Sequence, residues 1–210
     1  ANNVLDGRAG NDTLEGGLGD DTYVVGSAGD VVNELADAGA DIVQSTITWT
    51  LGPEQENLIL LGSAAIDGTG NALANQLIGN NANNVLTGLA GDDLLKGLGG
   101  ADTLIGGTGN DLYYADASDT VTEQDGEGVD VLYAISSLTM PDYVENAVFF
   151  DANVLFLVGN GLNNVFNGND ADNELHGAGG NDILYGLLGN DFLDGGTGTD
   201  TLDGGGGDAE

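Results

Sequence analysis

Large apolar side chains recur at a spacing of nine residues in three stretches of this chain. Leu14 and Tyr23, then Leu95, Leu104 and Tyr113, then Leu184, Leu193 and Leu202 each stand two residues after an aspartate. Those aspartates, Asp12, Asp21, Asp93, Asp102, Asp111, Asp182, Asp191 and Asp200, each stand two residues after a glycine, so that "GRAGNDTLE", "GLAGDDLLK" and "GGTGNDLYY" all read G-x-x-G-x-D-x-U-x, with U large and apolar. No sustained helical apolar period exists, and glycine recurs too often for a helix. The pattern predicts a turn in which glycine takes positive φ, then a short strand whose middle side chain points inward. Two such units on opposite sides make one flattened coil of eighteen residues, so residues eighteen apart should stack: Asp93 with Asp111, Asn84 with Asp102, Asn173 with Asp191, Asp182 with Asp200.

Weaker copies on the same grid carry asparagine, at Asn3, Asn75, Asn84, Asn164 and Asn173, and read as turns that stack without supplying a charge. A second period, of 89 residues, contains the first: Gly70, Asp93, Asp102 and Asp111 recur as Gly159, Asp182, Asp191 and Asp200. The connecting segments match too, pairing Asp30 with Asp119, Glu34 with Glu123, Asp41 with Asp130, and "ENLILLG" with "ENAVFFD". They hold the aromatic and β-branched residues, as in "IVQSTITWTL", which predicts strands continuing the stack. The expected organisation is one elongated all-β solenoid: repeat blocks at 1–33, 70–114 and 159–208, joined by β-rich connectors at 34–69 and 115–158.

Composition sharpens the class. With 38 glycines, 2 prolines and 6% aromatic residues, 210 residues would make a poor conventional core. A formal net charge of −33, from 35 acidic and 2 basic residues, argues against nucleic acid or an anionic membrane as a direct partner and favours a multivalent cation. No cysteine is present for disulfides or thiolate metal sites. No apolar run is long enough to span a bilayer as a helix, since "AVFFDANVLFLVG" is broken by Asp151 and Asn153. No signal peptide opens the chain, and both ends fall inside repeats, so the sequence reads as a piece of a larger protein.

Stacked carboxylates repel unless a cation sits between them. Turns offering carbonyls and carboxylates suit calcium, with six or more oxygens in flexible geometry, better than magnesium, which holds its waters, or zinc, for which no His and Cys cluster exists. The alternatives weaken on the same residues. A disordered linker does not lock an apolar residue two positions after each aspartate. No EF-hand loop with a closing glutamate appears, and no phosphate-binding glycine loop with its lysine. His176, next to the inward Leu175, should face outward; Trp49 reads as core; Glu34 and Glu123 read as a solvated face or as extra calcium ligands, with the solvated face favoured.

These units resemble the GGxGxDxUx repeats of RTX (repeats-in-toxin) proteins. The resemblance implies a right-handed parallel β-roll with several calcium ions in its turns. Each ion would take carbonyls at the second and fourth positions plus the Asp of one turn. The turn eighteen residues on would add carbonyls at its first and third positions plus its own Asp. Carried onto this chain, the middle block offers Leu89, Gly91, Asp93, Gly106, Thr108 and Asp111, and the last block Ala178, Gly180, Asp182, Gly195, Thr197 and Asp200. The scheme adds Gly97, Leu98, Gly99, Gly100 and Asp102 with Asn84, and Gly186, Leu188 and Asp191 with Asn173, two sites with one carboxylate each. In the first block it adds Gly16, Leu18 and Asp21, and pairs Asp12 with Asp30 through Gly10 and Arg8, whose side chain disfavours a nearby cation. Asp119 falls one position out of step for pairing with Asp102, and Asp41 lies off the regular ladder.

The function these readings imply is a non-catalytic calcium-binding module of a secreted or surface-bound bacterial protein, folding on calcium after secretion and stabilising the rest of the parent polypeptide. A rival is calcium-dependent binding of a polysaccharide or cell surface, as in an adhesin or beside a carbohydrate-active enzyme. A β-helix lyase or epimerase would need a basic and acidic catalytic cluster, which two basic residues and one histidine scarcely supply.

Overall fold

The computed structural model describes residues 1–36, 38–151 and 156–207, and every regular element among them is a β-strand. The chain divides into two compact units, Ala1–Asp111 and Leu112–Glu210. Each is a parallel β-solenoid.

In the first unit, Val4–Asp6, Thr22–Val25, Ile42–Ser45, Asn57–Leu60, Gln76–Ile78 and Leu94–Lys96 pair in that order, all parallel. The opposite wall is built from Thr13–Glu15 with Val31–Asn33, and from Trp49–Thr50, Gly68–Thr69, Val85–Ala90 and Thr103–Thr108. The register stacks Tyr23, Val43, Leu58, Leu77 and Leu95 in one inward column, each without exposed surface. The two walls meet through single side chains: Leu58 and Leu86 reach the same spot above Gly68, where a Cβ would lie 2.9 and 3.1 Å from their Cδ2 atoms.

The second unit repeats the design. Leu112–Ala115, Val131–Ala134, Asn146–Phe149, Val165–Asn167, Ile183–Tyr185 and Thr201–Asp203 form one wall, and Leu138–Thr139, Phe156–Val158, Glu174–His176 and Phe192–Asp194 the other. Tyr113, Leu132, Ala147, Phe166 and Leu184 stack in one fully buried column, and Leu157 and Leu175 are fully buried in the other wall.

Within the blocks the eighteen-residue coil holds, as in Val85↔Thr103 and Glu174↔Phe192. The strands of the first connector pair with one another and with those of the blocks at other coil lengths: Tyr23 pairs with Val43, Val43 with Leu58, and Leu58 with Leu77, spacings of twenty, fifteen and nineteen. The longest strands of the connectors are four residues long and bury two side chains each, such as Leu58 with Leu60 and Ala147 with Phe149. Trp49 is half-buried on the short strand Trp49–Thr50, with its indole Nε1 covered and without a hydrogen-bond partner, so it belongs only in part to the core that the sequence suggests.

A core one side chain thick makes each inward residue matter. Leu95→Ala should destabilise the calcium-loaded chain by roughly 2–5 kcal/mol, and Leu18→Ala, at a side chain 68% exposed, by no more than about 0.5 kcal/mol. Urea unfolding at fixed saturating calcium measures both.

Candidate metal centre

The stacked turns are tied together by their aspartates. In the first unit the Asn75 N–H donates to Asp93 Oδ1 at 2.6 Å and the Asp93 N–H to Asp111 Oδ1 at 2.7 Å. In the second, Asn164 N–H donates to Asp182 Oδ1 at 2.8 Å and Asp182 N–H to Asp200 Oδ1 at 3.0 Å. On the opposite side the same bond joins Asp12 to Asp30, Asn84 to Asp102 and Asn173 to Asp191. Every eighteen-residue pair read from the sequence is thus brought together.

One oxygen of each carboxylate is fixed by this bond, and the other is left over. The Oδ2 atoms of Asp12, Asp21, Asp41, Asp93, Asp182 and Asp191 are buried with no hydrogen-bond partner. A bare buried carboxylate oxygen costs several kcal/mol unless something positive meets it. Burial, with the charges of Asp111 and Asp92 adding to it and the Asn75 N–H opposing it, pushes Asp93 up from 3.8 to about 7. Asp182 is raised mainly by burial and further by Asp200.

The first glycine of each repeat makes room for that oxygen. A Cβ on Gly88 would lie 2.2 Å from Asp93 Oδ2 and 2.7 Å from the Gly106 carbonyl oxygen, and on Gly177 it would lie 2.3 Å from Asp182 Oδ2 and 2.7 Å from the Gly195 oxygen. Carboxylate and carbonyl therefore converge on the same side of one Cα. The second position is left-handed even where it carries a side chain, with φ of 86° at Leu89, 78° at Leu98 and 71° at Ala178, and so is the fourth, with 113° at both Gly91 and Gly180. This backbone turns the Leu89 oxygen toward Gly107 and the Gly91 oxygen toward Gly109. Thr108 and Thr197 each accept a backbone bond, from Gly91 and Gly180, which leaves each of these two carbonyls one lone pair for another partner, whereas the Ala178 oxygen accepts from both the N–H and the Oγ1 of Thr197.

The asparagine turns solve the same problem without charge. Asn75 Nδ2 donates to the carbonyls of Gln55 and Glu56 at 3.1 and 3.2 Å, and Asn84 Nδ2 to Ile66 at 2.6 Å. An amide N–H thus stands where a cation would otherwise be needed. Asp30 is satisfied differently: its Oδ2 accepts from Gly26 and Ser27 and its Oδ1 from Asp12, and these three N–H groups hold its carboxyl below the usual range. Arg8 turns its side chain outward to Asp6 at 3.6 Å, so it does not crowd the Asp12 turn, and the Leu18 carbonyl accepts from the Ala1 amino group.

Two readings of the sequence are corrected. Asp41 is on the ladder, with Asp21 N–H donating to its Oδ1 at 2.7 Å, because the connector lengthens that coil to twenty residues. Glu56 and Glu145 continue the ladder with a longer side chain, accepting from the Asp41 and Asp130 N–H groups at 2.8 Å each. Glu34 is not on a solvated face: its carboxylate accepts from the Tyr23 hydroxyl and gathers with Asp21 and Asp41. The 89-residue period, which pairs all of these between the connectors, was the signal for them. His176 does face outward, lying between Phe156 and Phe192 with its Nε2 2.8 Å from Glu174.

The model of the RTX calcium-binding nonapeptide repeat, four copies long, matches residues 1–32, 69–104, 78–113, 158–193 and 176–208, more than half of the chain. The chain belongs to the RTX repeat family. It is a calcium-binding repeat module folded as a β-roll, and the unpartnered, converging oxygens of its turns fit a hard cation. No curated protein matches this RTX chain. The ladder residues Asp93 with Asp111 and Asp182 with Asp200, helped by the first-position carbonyls of Gly106 and Gly195, are the groups that would hold an ion in each unit, which would supply the positive charge that the buried Oδ2 atoms of Asp93 and Asp182 lack.

Gly88→Ala should raise the calcium concentration at the folding midpoint roughly tenfold or more, about 1.4 kcal/mol, because the new methyl meets Asp93 Oδ2. Gly161→Ala, where a Cβ meets nothing within 4 Å, should change it little. The pH dependence follows from Asp93. Its carboxyl in the ion-free fold sits near 7 against 3.8 ordinarily, so the fold holds a proton that the unfolded chain has shed. That contribution is complete below about 3.8 and is lost as pH rises through about 7. Circular dichroism of the calcium-free chain should show β structure growing as pH falls through this window, and the calcium needed to complete folding at fixed ionic strength should not increase over it.

Proposed function

We propose that this RTX module is a calcium-gated folding unit of a larger secreted or surface-bound bacterial protein, which it stabilises once outside the cell. The observation that carries the reading is the row of buried carboxylate oxygens without partners in a chain of 35 acidic and 2 basic residues. Without a cation, their repulsion and the ordering entropy of so many glycines outweigh a core one side chain thick. The chain then stays unfolded, a form suited to passage through a type I secretion channel from a low-calcium cytosol. In a calcium-rich exterior each filled site stabilises the fold by roughly 2.7 kcal/mol when free calcium is about a hundredfold above its dissociation constant, so several sites together switch it on. The roll serves as a structural module, and any effector activity resides in the rest of the parent polypeptide.

A calcium titration followed by circular dichroism tests this. The isolated chain should be largely disordered in chelator at neutral pH and gain β structure cooperatively with calcium, whereas millimolar magnesium, which prefers strict octahedral geometry and sheds water reluctantly, should not replace it. A β spectrum unchanged by chelator, with retained metal excluded by elemental analysis, would refute calcium-gated folding; equal midpoints in the two ions would refute the selectivity.

A further inference from the structure

One group of carboxylates lies where the first connector meets the roll, and the nonapeptide scheme accounts for only one of the three, Asp21. Carboxylate oxygens of Asp21, Glu34 and Asp41 lie within 4.8 Å of one another. Asp21 and Asp41 are each 1% exposed, and the Oδ2 of each is buried without a hydrogen-bond partner. The three are held in place by neighbours. Asp21 N–H donates to Asp41 Oδ1 at 2.7 Å, the Tyr23 hydroxyl donates to Glu34 Oε1, Leu35 N–H reaches Glu34 Oε2 at 3.3 Å, and Gly16 N–H donates to the Tyr23 oxygen at 2.9 Å.

The make-up of this group departs from that of a repeat turn. Glu34 follows Gly16 by eighteen residues, the place where Gly106 follows Gly88 and presents a main-chain carbonyl. The register is recovered by two additional residues before Ala38, whose oxygen accepts from Gly19 N–H at 2.6 Å as Thr108 accepts from Gly91 at 2.9 Å. A carboxylate has thus taken over from a carbonyl, and the local charge rises from two negative groups to three. Gly16 leaves the space: a Cβ there would lie 2.1 Å from Asp21 Oδ2 and 2.3 Å from the Tyr23 hydroxyl. A recess lined by Gly16, Gly17, Asn33, Glu34 and Leu35 opens on the group from the surface. The tyrosine-to-glutamate bond is also built in the second unit, where Tyr113 donates to the buried Glu123.

We propose that Asp21, Glu34 and Asp41 form a calcium site of their own, a three-carboxylate clamp that fastens connector 34–69 to the roll. Three carboxylates at this spacing, two with bare buried oxygens, require a countercharge. An all-oxygen set with no imidazole or thiolate selects a hard ion, and the mixture of ladder and connector groups suits the irregular coordination of calcium better than the octahedron of magnesium. The clamp goes beyond the folding switch and does not require it, since it can fill in a roll that is already formed.

Equilibrium dialysis of the full chain against a range of free calcium, with folding checked by circular dichroism, counts the ions. Glu34→Gln keeps the side-chain shape and removes one charge. The expected result is one calcium fewer per chain, or one site weakened at least tenfold, with the β spectrum retained at saturating calcium. Unchanged stoichiometry and affinity overturn the proposal. Should Glu34→Gln fail to fold, Tyr23→Phe decides, because it keeps all three carboxylates. Terbium(III), standing in for calcium, is excited by a tyrosine close to it. Tyr23→Phe is expected to lower the tyrosine-sensitised emission at an unchanged number of bound terbium ions, and emission equal to that of the unsubstituted chain overturns the clamp. Failure of the folding switch looks different: a β spectrum in chelator, whatever the ion count.

Discussion

The structure depends on one repeated bond, a main-chain N–H of one turn donating to a single oxygen of the aspartate in the next. It sets the vertical spacing of the turns and makes successive coils register. It also creates a debt of charge, since a carboxylate pinned by one oxygen and buried by its neighbours cannot turn the other oxygen to water. Asp93 and Asp182 show the result, a buried oxygen beside a glycine whose missing side chain is what lets it lie there. Stacking and charge are thus two aspects of one contact, and a chain that folds this way must bind something positive or protonate.

The glycines divide the labour of the turn. The first permits close approach and the fourth permits backbone curvature. The second position is the instructive one, because Leu89, Leu98, Arg8 and Ala178 all adopt the left-handed conformation there despite their side chains. Such conformations cost on the order of 1–2 kcal/mol per residue. They persist because the bonds on either side of the turn determine the path of the chain more strongly than the local preference does.

Most of this was legible from spacing. A large apolar residue two after each aspartate located the inward columns, and the doubling of nine to eighteen located the carboxylate pairs. The connectors were harder. Their strands could be read from composition, but coils of twenty, fifteen and nineteen residues hide the vertical neighbours, so Asp41 under Glu56 has no signature at a fixed offset. A parallel solenoid tolerates this because register is enforced only in the strands, where the inward side chain must meet the one below it. The turn between strands can gain or lose residues freely, and Glu34 lies in such a gain.

The neutral rungs have an electrical consequence. Asn75 lies beneath Asp93 and Asp111, and Asn164 beneath Asp182 and Asp200, each amide closing the ladder below a pair of acids with its own N–H groups. An unbroken column of aspartates would behave as a polyelectrolyte, in which each vacant position raises the field at all the others. In the first unit Asn75 acts as an insulator between Glu56 and Asp41 on one side and Asp93 and Asp111 on the other, so the field of one group is weakened before it reaches the other. Within that unit the groups on either side of Asn75 are then joined by the hydrophobic column, from Leu58 through Leu77 to Leu95, more than by their charges.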